Sequence, residues 1–191
     1  MTPDGQAILR GVQGQDAGNS AGQAIVLETA RLILTPLSRL DEAEHARASG
    51  HADDALRDTR AAGPQWRQHG FGPWAIRDLG DSSFLGCAEL RFAGEGIDGI
   101  APDEVEAGWW VTESRRNQGI ATEAMCAAIG DLWGRARVDC MTAYIAQGEN
   151  EPSCRLAAKL GFTVRSRGQG RFGEPMTVYE LRRDVWDRRG G

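Results

Sequence analysis

The sequence predicts one domain of the mixed α/β (α+β) class, in which helices pack on both faces of a sheet. Its 191 residues are about the length of a single domain. Apolar spacing and turn residues predict strands and helices in the order β-α-α-β-β-β-α-β-α-β-β. This alternation, with neighbouring strands in two places, is typical of a mixed sheet covered by helices.

The predicted strands and helices are separated by turn residues. We expect strands at residues 28–35, 74–79, 83–92, 105–111, 138–145, 162–167 and 176–182, and helices at 40–49, 53–60, 119–133 and 150–160. The turn at Gly80 and Asp81 predicts a hairpin over residues 74–92. The strand at 105–111 is apolar on both faces near its end, as a central strand is.

Capping and helix-breaking residues predict where the helices begin and end. Asp53 and Asn150 are suitable N-caps for the second and fourth helices. Gly134 and Gly161 are suitable stops for the third and fourth helices. Residues 62–73 contain several glycines and prolines, so we expect a loop or a broken helix there.

Charge and composition exclude several classes of protein. With 22 Lys+Arg and 27 Asp+Glu the net charge is −5, an ordinary charge for solubility that weighs against general-charge binding of nucleic acid. No run of 18 apolar residues is present, so we expect no membrane-spanning segment. The four cysteines form no CxxC pair, which favours reduced thiols over a disulfide framework or a zinc ribbon.

The two ends of the chain are predicted to be solvated. Residues 1–24 lack apolar periodicity, so we expect a disordered tail before a single domain over residues 25–191. The tail has neither the basic start nor the apolar core of a secretory signal, which favours the cytoplasm. We expect Trp186 near the C-terminus to be exposed, and His45 and His51 to be solvated.

The loop between the fourth strand and the third helix has the composition of an anion site, with the pattern Arg116-x-x-Gly119-x-Ala121. The first amides of a helix have no internal acceptor, and the helix dipole places about half a positive charge there. Gly119 lets a ligand approach the backbone, and Asn117 tolerates a left-handed conformation. The loop lacks the Gly-Lys-Ser/Thr ending of a P-loop and the GxGxxG glycines of a dinucleotide-binding fold. It predicts a cradle for a pyrophosphate.

This loop and four other segments resemble the GNAT N-acetyltransferases, closest to their ribosomal-protein (Rim-type) branch. Residues 116–121 resemble the acetyl-CoA pyrophosphate loop, although Asn117 stands where the family usually has glycine. The other similar segments are residues 28–34, 70–76 with 84–86, 106–111 and 150–162. The resemblance covers residues 28–183 and implies a mostly antiparallel, seven-stranded sheet. Its fourth and fifth strands would splay apart to form a cofactor cleft.

The resemblance implies acetyl-CoA as cosubstrate and no metal. Main-chain groups of the fourth strand would bind the pantetheine arm, and amides of the loop would bind the pyrophosphate. The residues implied to bind the cofactor are Trp109, Trp110, Val111, Arg116, Asn117, Gln118, Gly119, Ala121, Thr122, Asn150 and Ser153. For the two tryptophans only the main chain is implied, because their side chains are expected to pack in the core.

The same resemblance implies that an amine attacks the thioester directly in a ternary complex. Glu106 is the expected base and Glu174 is the alternative. A main-chain amide of the fourth strand is expected to stabilise the oxyanion. Ser153 is expected to assist the leaving thiolate, with Tyr144 and Tyr179 as alternatives.

The function favoured by the sequence is acetyl transfer from acetyl-CoA to a primary amine. The acceptor is either a protein N-terminal α-amine, as the Rim-type resemblance implies, or a small-molecule amine. Two other functions stay open: a non-catalytic acyl-CoA-binding sensor on the same fold, and a nucleic-acid-binding module, which the acidic charge disfavours. We expect no nucleic-acid or membrane partner, and either a monomer or a homodimer.

Overall fold

One sheet of eight strands runs through residues 25–148 and 150–190, the part of the chain that this computed structural model describes. The strands are β1 (Leu27–Glu28), β2 (Leu32–Pro36), β3 (Trp74–Asp78), β4 (Phe84–Phe92), β5 (Val105–Val111), β6 (Cys140–Ala146), β7 (Thr163–Gln169) and β8 (Pro175–Arg182). Their order is β1-β2-β3-β4-β5-β6-β8-β7, and all neighbours are antiparallel except β5 and β6. The predicted mixed, mostly antiparallel sheet is confirmed, whereas the tail expected at residues 1–24 lies outside the described residues.

The sheet has eight strands rather than seven because the first predicted strand is divided. A turn at residues 29–31 separates β1 from β2, which pair with each other. The Thr29 amide donates to the Leu32 carbonyl at 2.9 Å, and the Leu32 amide donates to the Thr29 hydroxyl at 3.0 Å. These two bonds close the turn, so the segment folds back on itself instead of running straight.

The described residues form five helices on the two faces of the sheet. They are α1 (Glu42–Ser49), α2 (Ala52–His69), α3 (Ile120–Arg135), α4 (Glu151–Leu160) and α5 (Arg183–Arg188). Side chains of α3 and α4 belong to the main apolar core on one face, while α1 and the middle of α2 pack on the other. None of these helices is long and apolar enough to cross a membrane.

Helix α2 is longer than the sequence predicts, which corrects the loop or broken helix expected at residues 62–73. It continues through Gly63 and Pro64 and ends at His69. A side chain before proline normally collides with the proline ring in a helical conformation, but Gly63 has no Cβ. The pair Gly63-Pro64 therefore fits inside a helix, where Pro64 removes one hydrogen bond without ending it.

Trp66 explains why the end of α2 stays helical. Its ring packs edge-on against Trp74, with 4.6 Å between the centroids, and its Nε1 donates to the Pro73 carbonyl at 2.9 Å. These contacts join the last turns of the helix to the start of β3. Tertiary packing thus outweighs the local preference of the glycines and the proline.

Smaller differences concern the helix ends. His51 rather than Asp53 is the N-cap of α2. Helix α3 continues past Gly134 to Arg135, so that glycine is not its stop. Gly161 ends α4 as predicted, in a left-handed conformation with φ 97°.

Two residues that were expected to be exposed are buried. Trp186 lies on α5, which the sequence analysis did not predict, and its ring packs 5.4 Å from that of Trp133. His45 on α1 is 2 % exposed, and its ring lies edge-on to Trp110 at 4.9 Å. Both expectations were wrong because the partner ring is distant in sequence.

Candidate cofactor cleft and active site

Strands β5 and β6 separate soon after they pair. Within the described residues their parallel pairing is limited to Val105 with Met141 and Glu106 with Thr142, although each strand is 7 residues long. Beyond Glu106, the main-chain groups of β5 that point towards β6 have no strand partner and can bind a ligand instead. The splay predicted between the fourth and fifth strands is therefore confirmed, between β5 and β6.

The loop after β5 brings an uncapped helix N-terminus to this splay. Asn117 and Gly119 are both left-handed, with φ of 61° and 79°. Helix α3 begins directly afterwards at Ile120, and no side chain in the described part of the chain caps its first turn. Its first amides are therefore available as donors to an anion, and the helix dipole adds to the attraction.

Two ion pairs between distant segments hold this loop in place. Arg31, in the turn between β1 and β2, pairs with Glu123 in the first turn of α3 at 2.7 Å and donates to the Gln118 carbonyl at 2.9 Å. Arg115 pairs with Asp78 at the end of β3, also at 2.7 Å. Sequence analysis missed both pairs because the partners are 92 and 37 residues apart.

The cleft between β5, α3 and α4 has a volume of about 700 Å³. It is lined by Trp109, Trp110, Val111, Arg115, Arg116, Asn117, Gly119, Ile120, Ala121, Thr122, Asn150, Pro152, Ser153, Arg155, Leu156 and Lys159. Four of these described residues are cations and none is an acid. Arg115 and Arg155 pair with Asp78 and Glu151 outside the lining, whereas Arg116 and Lys159 have no acidic partner within 4 Å among the described residues, so the cleft favours an anionic ligand.

Most residues predicted to bind the cofactor lie on this cleft. The exception is Gln118, whose side chain donates instead to the Ser114 carbonyl at 3.2 Å, within the loop. Helix α4 adds three lining residues that the sequence analysis did not name: Arg155, Leu156 and Lys159. Their spacing of three, four and seven residues from Pro152 puts them on one helical face, a signal that could have identified them.

Trp109 and Trp110 point to opposite faces of the sheet, and only their main chain is common to the cleft edge. The Trp109 ring packs 6.3 Å from that of Phe162 on the main-core face, while Trp110 packs against His45 on the other. Across the ladder, a Cβ at Gly86 would lie 2.2 Å from the Trp110 carbonyl oxygen. A glycine at this position lets β4 and β5 approach closely where the cleft opens.

Glu106 is the last residue of β5 that pairs with β6, and it is buried. Its side chain is 5 % exposed and pairs with Arg91 at 3.2 Å and with Arg171 at 3.6 Å. Its Oε2 atom has no hydrogen-bond partner within the described residues. The alternative carboxylate, Glu174, is engaged in its own turn between β7 and β8, where it accepts a hydrogen bond from the Phe172 amide at 2.9 Å.

Ser153 is half-buried on the α4 wall of the cleft. The two tyrosines considered as alternative proton donors lie in the sheet, Tyr144 on β6 and Tyr179 on β8. A hydrogen bond with Cys154, together with burial, raises the pKa of Tyr179. Burial, together with the charge of Glu106, raises the pKa of Tyr144. Ser153 lines the cleft and neither tyrosine does, so the geometry favours Ser153 as the hydrogen-bond donor to the departing sulfur.

The splay of β5 and β6, the N-terminus of α3 and the cations of the cleft are typical of a protein that binds an anionic ligand at the open edge of a mixed sheet. Residues 31–163 match the family model described as acetyltransferase (GNAT) domain, so the chain belongs to the GNAT family of acetyltransferases. The family resemblance stated from the sequence is confirmed, and the protein is an N-acetyltransferase. No curated protein matches the chain at a significant level.

Solved structures share this fold over most of the chain. A GnaT-family acetyltransferase from Bordetella pertussis is 28% identical, with a TM-score of 0.73 over 82% of this chain and 98% of that chain. RimJ from Mycobacterium smegmatis, in complex with CoA-disulfide, is 18% identical, with a TM-score of 0.61 over 80% and 82%. A ribosomal-protein-serine acetyltransferase from Vibrio cholerae is 17% identical, with a TM-score of 0.66 over 83% and 97%. At the identities of the last two, the likeness is one of fold.

Proposed function

We propose that this protein transfers an acetyl group from acetyl-CoA to a primary amine, by direct attack in a ternary complex. The main support is the cleft itself, where four cations and an uncapped helix N-terminus lie beside an open strand edge. A pyrophosphate fits the helix N-terminus, and an amide-containing arm fits the strand edge. Membership of the GNAT family, whose members use acetyl-CoA, supports the same ligand.

The proposed cofactor contacts follow the cleft from one end to the other. The main chain of Trp109 and Val111 would bind the pantetheine arm, with Trp110 between them holding the edge to β4. The amides of Gly119, Ala121 and Thr122 would bind the pyrophosphate, with Arg116 beside them. Asn150 and Ser153 would lie along the α4 side, and Asn117 shapes the loop. Gln118 is left out of the proposed contacts because its residue does not line the cleft.

Bound acetyl-CoA supplies a thioester carbon that an uncharged amine can attack. Glu106 would accept the amine proton at Oε2, the oxygen without a hydrogen-bond partner among the described residues. The Val111 amide would donate a hydrogen bond to the thioester oxygen, because it faces away from β4, whereas the main chain of Trp110 faces β4. Ser153 would donate a hydrogen bond to the departing sulfur. In balance, the N–C bond forms and the C–S bond breaks with its electron pair left on sulfur. The proton that the nitrogen loses to Glu106 passes through solvent to that sulfur, so CoA leaves as the thiol.

We propose a protein N-terminal α-amine as the acceptor. The Vibrio cholerae neighbour is named as a ribosomal-protein-serine acetyltransferase, which supports a protein as the acceptor. An α-amine with a pKa of about 7.7–8.0 costs about 1 kcal/mol to deprotonate at pH 7, compared with roughly 4–5 kcal/mol for a lysine amine. Glu106 is then a sufficient base for an α-amine, although it pairs with Arg91 and Arg171. Such a substrate would put the reaction in the cytoplasm.

The experiment that tests this assignment compares the turnover of four proteins, measured as CoA thiol released in the presence of peptides with a free α-amine. Glu106→Gln should lower kcat roughly 10²–10⁴-fold, because it removes the proton acceptor. Ser153→Ala should lower kcat less, because it removes one hydrogen bond. Glu174→Gln, the matched control, should leave kcat unchanged.

The same variants distinguish Glu106 from Glu174 as the base, and an enzyme from a protein that only binds acetyl-CoA. A loss of turnover in Glu174→Gln, with none in Glu106→Gln, would move the base to the β7–β8 turn. A wild-type protein that binds acetyl-CoA but releases no thiol with any peptide or small amine would be an acyl-CoA sensor.

A further inference from the structure

A second buried carboxylate, Glu89, lies on the same face of β4 and β5 as Glu106. In the antiparallel ladder Glu89 is opposite Gly108, and Arg91 is opposite Glu106. Directly opposite residues project to the same face of a sheet, and so do residues two apart on one strand. Glu89 therefore lies one step along this face from Glu106.

Glu89 is the carboxylate closer to the cofactor cleft. The next pair on the same face is Cys87 with Trp110, and Trp110 lines the cleft, so Glu89 lies between Glu106 and the cleft edge. Gly108 has no side chain to fill the space opposite. A Cβ at Gly108 would lie 3.5 Å from the Glu89 Cβ and 3.6 Å from its Oε2, so the carboxylate leans over the backbone of β5.

The charge around Glu89 is incompletely balanced. Its side chain is 14 % exposed, and within the described residues Arg91 is the one cation within 4 Å, at 3.3 Å. Arg91 is shared, because its other terminal nitrogen pairs with Glu106 at 3.2 Å. Burial raises the pKa of Glu89, and Arg91 opposes this only in part. A poorly solvated carboxylate that shares its one partner gains from a further cation.

The ion pairs around Glu89 also contain more negative groups than positive ones. The ion pairs that involve Glu89, Glu106 and the neighbouring turn of α2 contain the carboxylates Asp54, Asp58, Glu89 and Glu106 and the guanidinium groups Arg57, Arg91 and Arg171. Four negative groups therefore face three positive ones. An independent sign of an open position is Oε2 of Glu106, which is buried without a hydrogen-bond partner among the described residues.

We propose that Glu89 is the residue that binds the ammonium group of the acceptor, holding it between Glu106 and the thioester. This inference rests on the proposed acetyl transfer. The acceptor arrives as a cation, Glu89 binds it in that form, and Glu106 takes its proton before attack. The site is therefore specific for amines that are charged in solution, and it gives a hydroxyl acceptor no comparable interaction.

The test is a steady-state comparison of wild type and Glu89→Gln with a short peptide that has a free α-amine, over a range of peptide concentrations. Glutamine has the same shape, so the variant loses charge and little packing. An interaction with a charged group contributes about 1.5–3 kcal/mol, so the KM for the peptide should rise roughly 10- to 100-fold. The value of kcat should change less than about threefold, and the Kd for acetyl-CoA should not change. Glu95→Gln, an exposed glutamate in the loop after β4, is the matched control and should match wild type.

The outcomes separate this inference from the function on which it rests. If wild type transfers no acetyl group to any amine, the proposed function fails. If wild type is active and Glu89→Gln keeps the wild-type KM, the function stands and the role of Glu89 is overturned. A fall in kcat at unchanged KM would also overturn it, because Glu89 would then act on the proton and not in binding. If Glu89→Gln does not fold, Glu89→Asp, which keeps the charge but is one methylene shorter, should still raise KM.

Discussion

Two residues with left-handed backbone decide the shape of the anion site at the smallest scale. Asn117 and Gly119 have φ of 61° and 79°, and together they turn the chain so that α3 begins with its amides towards the cleft. Asparagine is the non-glycine residue that adopts this conformation with little strain, which explains how the loop keeps its shape without the usual glycine at 117. The sequence could predict these positions because backbone preference is a local property.

Gly119→Glu should abolish binding of CoA. The substitution places a side chain in a left-handed conformation, with its Cβ 3.4 Å from the Arg31 guanidinium, and adds a carboxylate to the lining of the proposed pyrophosphate site. We expect a loss of affinity of at least about 100-fold, measured by calorimetric titration with CoA. Gly130→Glu adds the same charge to an exposed position of α3 with nothing within 4 Å, and it should bind CoA normally. Unchanged affinity in Gly119→Glu would contradict the assigned pyrophosphate site.

His45 is a buried residue whose titration should affect stability. Both ring nitrogens lack hydrogen-bond partners among the described residues. Burial lowers the pKa of His45, and Asp58, 3.8 Å away, opposes this only in part. The unfolded chain takes up this proton near pH 6.5, whereas the folded protein takes it up at lower pH. His45 therefore costs no stability well above pH 6.5, and stability is lost as the pH falls through and below that value.

Replacing His45 with leucine should remove this pH dependence. Between pH 7.5 and pH 5.5, wild type should lose up to about 1 kcal/mol more unfolding free energy than His45→Leu. Urea unfolding at the two pH values measures how much unfolding free energy each protein loses. Equal losses in the two proteins would show that the destabilisation at low pH comes from other groups.

At the scale of elements, helix α2 shows what the sequence could and could not predict. Strand β5 and the end of α4 match the predictions because their apolar patterns and the Gly161 stop are local. Helix α2 was misjudged because Trp66 and its contacts to β3 decide its length, and these form only on folding. The ladder position of Glu89, the pair of Arg31 with Glu123, and the burial of Trp186 were missed for the same reason.

Pro64→Ala should stabilise the protein. Alanine restores the amide that proline removes from the interior of α2, and Pro64 is exposed, so no packing is lost. A proline interior to a helix costs about 3 kcal/mol, and alanine makes the unfolded chain more flexible by up to about 1 kcal/mol, so the net gain should be about 2 kcal/mol.

Pro152→Ala is the matched control for this prediction. Pro152 is in the first turn of α4, where the amide has no partner inside the helix, so alanine should give no comparable gain. Denaturant unfolding of both variants measures the difference. Equal effects of the two substitutions would mean that Pro64 does not cost α2 a hydrogen bond.

At the scale of the whole molecule, charge is separated between the two sides of the splay. The loop before α3 and the α4 wall of the cleft carry the cations, while the opposite face of β4 and β5 holds largely buried carboxylates. An anionic cosubstrate and a cationic acceptor would then approach from different sides and meet at the splayed edge of β5. This separation is a property of the folded sheet that the overall charge of −5 conceals.

Acetyl-CoA should stabilise the whole domain against heat. At 100 times its Kd, a ligand that binds only the folded state adds about 2.7 kcal/mol. For a domain of this size that corresponds to a rise in Tm of roughly 5–10 °C. Thermal unfolding with and without acetyl-CoA measures the shift, and Gly119→Glu should show none. An equal shift in both proteins would mean that acetyl-CoA binds somewhere other than this cleft.

The most direct test of the central claim is to incubate the protein with acetyl-CoA and a peptide that has a free α-amine, and to measure both products. We predict that thiol is released in equal amount to peptide that gains the mass of one acetyl group, and that an N-terminally blocked peptide gains none. Saturable binding of acetyl-CoA with no acetylated product from any peptide or small amine would contradict the claim.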